Sequence, residues 1–333
     1  MASGSGLEGG MASELVRGHV AAFLSAFLWA TSFPVTEVLL ADWDPLPLAA
    51  VRIAGAGLVL VALLWLFKGS GELRRAPWPE VARIGGLGIG LGALLLVFGQ
   101  SRADPVTAAV VTACMPALSA AVALAERRWR PSPSLVFGIA LAVAGGVLAA
   151  LAAWPSRRPA LFGGELALLA AMMLWVWYSR AAMRRLQGLS DLATAALTTA
   201  AGGALLVFAV GLAALAGIDT LRVRWDPASV GLLLWLAGAA VGLSVALWMR
   251  GVRRLGVTAA SFHLNLVPLY AALLSALTLG AVPAAQWLGA ALVLVGALLA
   301  QRESQRLELQ DHAAAPPSAA GPQSSAAAPL ERS

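Results

Sequence analysis

Charge is what this sequence has least of. Asp, Glu, Lys and Arg make up only 12% of its 333 residues, against about 25% in a soluble globular chain. So sparse a supply cannot coat a water-facing surface, and a soluble domain is excluded. Cysteine occurs once, at Cys114, so no intrachain disulfide can form and the redox compartment cannot be read from thiols. A phosphate-cradling G-x-x-x-x-G-K-[ST] loop is missing, which argues against nucleotide-driven work by this chain alone. H-E-x-x-H and G-x-S-x-G are missing too, and with them two common catalytic signatures.

Apolar residues are what is there: 59% of the chain, with a mean hydropathy of +0.80. The net charge of +6 could point to nucleic acid. However, the basic residues come in short clusters between apolar runs, the mark of cytoplasmic loops. We therefore read an integral membrane protein, with the lipid bilayer as its solvent and no nucleic-acid partner. No cofactor and no metal site is expected.

A spanning helix needs about 20 apolar residues. Such runs recur ten times, at 18–39, 46–67, 80–100, 105–125, 133–153, 163–183, 191–216, 228–249, 257–279 and 283–300. They are continuous and rich in Ala, Leu and Gly, without the alternation of a β-barrel. Residues 1–14 read as a flexible leader that need not be native, and 303–333 as a disordered, Ala/Pro/Ser-rich cytoplasmic tail. Placing both termini in the cytoplasm puts 17 of the 23 Lys and Arg residues on that side and five outside, with Arg52 inside a span. That imbalance fixes the expected orientation, with the bacterial inner membrane as the expected location.

The chain repeats itself. Gly18 to Trp29 and Gly164 to Trp175 share an eleven-residue step. Pro116, Gly138 and Gly145 are spaced by 22 and 7; Pro268, Gly289 and Gly296 by 21 and 7. Five spans per half, an odd number, send the second half into the membrane from the opposite side. Inverted repeats of this kind build many secondary transporters, with the substrate held near the midplane.

LWATSFP (28–34), the stretch from Cys114 to Leu148 (CMPALSAAVALAERRWRPSPSLVFGIALAVAGGVL), and NLVPLYAALLSALTLGAVPAAQWLGAALVLVGALLA (265–300) resemble the tandem EamA units of the drug/metabolite transporter superfamily. The resemblance runs over about 15–302, with units at 15–154 and 155–302. It implies an all-α fold of ten helices in two inverted five-helix repeats, a central cavity, and usually export of small metabolites such as amino acids. One feature departs from the family. Its Gly-Glu pair, thirteen residues after the proline, is replaced by Trp129 in the first half and by Ala281 after Gly280 in the second. Glu126, a turn earlier, is the nearest stand-in.

Polar groups inside a membrane belong next to water or partners. Ser25, Trp29, Ser32 and Thr36 share one face of the first helix; Ser261, Asn265, Pro268 and Ser275 share one face of the ninth. Pro116 and Pro268, in matching spans, each remove a backbone donor and are candidate hinges for gating. Trp29 and Trp175 occupy matching positions, and Tyr178 and Tyr270 lie well within spans, suiting a cavity that receives an amphipathic solute. Cementing of the bundle by hydroxyls and rings is the competing role.

Arg52 is the one basic residue within a span. It is expected to pair with Glu37, bind a substrate carboxylate, or snorkel outward. His263 is the best-placed group to titrate in the ninth helix. With so few carriers, proton coupling and facilitated passage both stay open. Trp29, Ser32, Arg52, Trp175, Tyr178, Asn265 and Tyr270 are thus the substrate-site candidates, and Glu37, His263, Pro116 and Pro268 the gating or coupling candidates. The expected function is export of a small metabolite by alternating access. An intramembrane enzyme and a non-transporting scaffold are the alternatives. Against the enzyme, Ser261 and His263, two apart on a helix, point to opposite sides.

Overall fold

The computed structural model describes residues 4–103, 105–112, 132–152, 164–217 and 221–314, with Met115 and Leu118 between them. Pro116, Cys114, Ser119, Glu126 and Trp129 lie outside the described residues. Those described form helices and short connections, without a strand among them. In chain order the helices are α1 (Gly4–Leu39), α2 (Pro45–Lys68), α3 (Gly71–Arg75), α4 (Trp78–Gln100), α5 (Pro105–Thr112), α6 (Pro133–Ala152), α7 (Glu165–Arg185), α8 (Asp191–Leu215), α9 (Pro227–Val257), α10 (Ala259–Thr278) and α11 (Ala284–Ala314).

Seven of them are long and apolar enough to cross a membrane: α1 from Ser13 onward, α2, α4, α7, α8, α9 and α10. Apolar stretches in α6 (Val136–Leu148) and α11 (Ala284–Gly296) are shorter. Of the span expected at 105–125, the helix is described only over Pro105–Thr112. Two terminal expectations change. Residues 4–14, read as a flexible leader, continue α1 as helix, and 303–314, read as disordered tail, continue α11. The run QRESQRLELQDHAA has no Gly or Pro to stop a helix, and its side chains are mostly strong helix formers.

Helix ends follow local chemistry. Ser190 caps α8 by accepting from the Ala193 amide at 3.2 Å, and Asp226 caps α9 through Ser229 N at 2.9 Å. At Gly256, with φ of 80°, the chain turns between α9 and α10, a conformation that suits a residue without Cβ. Pro268 was expected to kink a continuous span. Instead Phe262–Leu266 form a tight 3₁₀ turn and Pro268 stands in the first turn of the segment Val267–Thr278, where its missing donor costs little.

The main helix contacts are α6 on α11, α1 on α9, α2 on α8, α4 on both α7 and α8, α2 on α9 and α1 on α10, with a smaller contact of α5 on α10. Small residues make them close. A Cβ on Gly145 would lie 2.7 Å from the Gly289 carbonyl oxygen, and one on Gly296 would lie 2.5 Å from that of Gly138. The four glycines of the repeat spacing thus meet each other across α6 and α11, the close-approach device of helices in lipid. Two helices carry wide π turns, α4 over Gly85–Leu91 and α9 over Leu236–Leu243.

Ion pairs gather at the helix ends. At the end rich in Arg, Glu14 pairs with Arg17 and Arg254, and Asp191 with Arg253 and Arg254. At the opposite end, Arg222 and Arg224 reach Asp44 and Asp42.

Candidate functional site

A cleft opens where α1, α2, α4, α7 and α9 converge, holding about 610 Å³ with its mouth included. Its apolar walls follow from composition: Ile53, Ile89, Leu96, Met172, Val241 and Val245 are short-range neighbours with no polar atom to offer. Glycine and alanine let the helices come close enough to frame it. A Cβ at Gly88 would stand 2.6 Å from that of Tyr178, so α4 and α7 touch there backbone to ring.

Aromatic rings build one wall. Trp29 and Trp175 lie nearly parallel, their planes 12° apart and their centroids 6.1 Å apart. Trp248 reaches Trp175 from α9 at 6.0 Å, and its indole N–H donates to Ser179 Oγ at 3.0 Å. Tyr178 sits behind Trp175 at 5.3 Å, fully buried, its hydroxyl 3.0 Å from Thr198 Oγ1. That bond fixes the ring that backs Trp175. The Trp175 Nε1 itself is buried without an acceptor among the described residues.

Polar groups also line the cleft. Ser25 Oγ donates to the Ser244 carbonyl at 2.8 Å, and Ser244 Oγ donates back to the Ser25 carbonyl at 3.1 Å. This reciprocal clasp ties α1 to α9 in the cleft lining. Arg52 is 2% exposed. It donates Nη1 to Thr36 Oγ1 at 3.2 Å, so its hydrogen bond goes to the hydroxyl one residue before Glu37. Its buried Nε has no partner among the described residues.

Of the substrate-site candidates, Trp29, Arg52 and Trp175 line this cleft. Tyr178 supports the wall from behind. Ser32 and Asn265 are buried in the packing beside it, and Tyr270 packs edge-on against Phe27 and Phe23, at 5.4 and 6.1 Å, on the flank of α1. Glu37 is half-buried near the C-terminal end of α1. His263 is half-buried near the start of α10, its Nδ1 3.2 Å from the Ala260 carbonyl and its ring 5.3 Å from that of His19. Pro268 is buried, outside the cleft lining; Pro116 is outside the described residues. Sequence reasoning missed Ser244 as a lining residue. Small residues fill every span here, and which of them turns inward is decided by neighbouring helices.

A bundle of apolar helices around an aromatic-walled cleft with one buried guanidinium defines an integral membrane protein of the small-solute transporter class. The EamA-like transporter family model matches residues 16–151 and again 162–301, and the chain belongs to that family. No curated protein matches the sequence. Among 25 matching solved chains, the crystal structure of a protein 24% identical aligns over 87% of this chain and 98% of its own, with a TM-score of 0.64. That likeness is one of fold.

Proposed function

We propose that the chain is a secondary carrier that exports a small metabolite, an amino acid or a related amphipathic solute, across the bacterial inner membrane. In this reading ten helices form two inverted five-helix repeats, both termini face the cytoplasm, and the solute crosses by alternating access around the cleft. The observation that carries it is the origin of the cleft lining: Ser25, Trp29 and Arg52 come from the first family match, and Trp175, Ser244 and Trp248 from the second. A site split between repeats opens to one side or the other when the repeats rock.

The helix contacts support the inversion. Counting from the start of each half, α2, α5 and α6 correspond to α8, α10 and α11, and each packs on its own counterpart. Among the other contacts, α1 on α9 exchanges with α4 on α7, and α4 on α8 with α2 on α9, under the same correspondence. A two-fold relation between halves requires this pattern. His263 beside His19, and Glu37, are the proposed proton carriers, with Pro116 and Pro268 at the moving spans.

The test is flux in sealed vesicles holding the purified full chain, paired with metabolite profiling of cells with and without it. A compound retained inside only when the protein is absent names the cargo and the direction. Loss of flux on collapsing the proton gradient supports coupling; unchanged flux points to facilitated passage. No flux of any profiled metabolite would reject the carrier.

A further inference from the structure

We propose that the cleft selects a monoanion: Arg52 docks the carboxylate of a flat, amphipathic solute that carries no ammonium group. This rests on the carrier reading and names the substrate class for its site. Arg52 is the eighth residue of α2, about 10 Å along the helix, and is almost wholly buried at the cleft. A guanidinium has five N–H donors in a planar fork. Among the described residues it has one hydrogen bond, to a neutral hydroxyl, and its buried Nε has no partner.

The rest of the lining offers one free donor and no anion. The Trp175 indole N–H is buried and unaccepted among the described residues, while the Ser25 and Ser244 hydroxyls spend their protons on each other's carbonyls and keep only neutral lone pairs. Among the described residues that line the cleft there is no Asp or Glu. A carboxylate supplies both the missing charge and two acceptors in the geometry the fork prefers. An ammonium group meets the opposite: no acceptor of its charge, and Arg52 to repel it in a medium of low dielectric. The Trp29–Trp175 stack presents a flat apolar wall for the solute body. Zwitterionic amino acids are therefore disfavoured relative to aromatic or other flat monocarboxylates.

The experiment uses the full chain in lipid nanodiscs at neutral pH, titrated with four probes of one shape: hydrocinnamate, phenylalanine, phenethylamine and hydrocinnamamide. Tryptophan fluorescence reports binding. Hydrocinnamate is expected to bind at least about tenfold more tightly than the other three, Arg52→Gln to level the four, and Arg52→Lys to keep part of the preference. The ranking on the unmodified protein needs no variant, so it stands even where Arg52→Gln does not fold. Phenylalanine or phenethylamine binding as tightly as hydrocinnamate would overturn the proposal, as would no binding of any probe at millimolar concentration. Vesicle flux separates the two readings. Flux without anion preference removes this subsite and keeps the carrier; anion preference without flux does the reverse.

Discussion

Gly88 shows how tightly single residues are held around the cleft. An added methyl there meets Tyr178 Cβ at 2.6 Å, and that ring is fully buried and tied to Thr198. Overpacking of this kind costs about 1–3 kcal/mol, more than the roughly 1 kcal/mol that alanine returns in helix propensity. Gly88→Ala should therefore lower the unfolding midpoint in detergent, and a raised midpoint would refute the contact. The serine clasp is testable in the same assay. Ser25→Ala and Ser244→Ala should each cost about 0.6 kcal/mol, the average for hydrogen bonds between helices in lipid, and because each hydroxyl bonds a backbone carbonyl that the other variant keeps, the losses should add in the double variant; no loss in either single variant would deny the clasp. Which residues sequence could foresee follows from chemistry. Trp29 and Trp175 were legible because matching positions in a repeat held the same rare ring, and Arg52 because it stands apart from the basic clusters at the span ends. Ser32, Asn265 and Tyr270 share the right helix faces, yet a helix in a bundle has several buried neighbours. The stripe does not say which of them frames the cleft.

At the scale of elements, the apolar runs told where helices lie but not how they deviate from regular geometry. The π turns of α4 and α9 fall in GGLGIGL and LAGAAVGL. Such a turn holds an extra residue, and no pattern of hydropathy distinguishes it from an α turn. Glycine spacing was more informative, since close approach has no substitute. Gly145→Leu or Gly296→Leu should separate α6 from α11 and cost several kcal/mol by overpacking at backbone contact. Monodispersity and thermal midpoint in detergent check this, and wild-type behaviour of both variants would count against the interface. The cap of α9 adds a pH dependence. The Ser229 amide above all, then the Ser229 hydroxyl and Arg224, hold the Asp226 carboxyl below the usual carboxylate range. A lowered value means that the cap's contribution is present above the ordinary carboxylate pKa and fades as pH falls through the depressed one. Hydrogen exchange in the first turn of α9 should quicken over that acid window, and Asp226→Asn should flatten the response.

For the whole molecule, the ends of the bundle are where charge is concentrated. Asp191 on α8 stands 2.8 and 3.2 Å from Arg253 and Arg254 on α9, and Arg254 also reaches Glu14 on α1. The cluster joins helices from both family matches at that end. Partly exposed pairs are worth little singly; the two at Asp191 together amount to about 1 kcal/mol, or about fivefold in population. With Cys114→Ser as background and Ala182→Cys as a buried reporter on α7, Asp191→Asn should speed labelling from that end by about this factor. An unchanged rate would remove the latch. The exchange of contacts between α1–α9 and α4–α7 has a further consequence. On the proposed inversion, each half displays the posture that the other adopts when the carrier faces the opposite way. Residues of the first half laid on the backbone of the second, and the reverse, would sketch the opposite-facing carrier, with α4–α7 taking up the contact now made by α1–α9 and α1–α9 that of α4–α7. One conformation thus carries the template of its alternate.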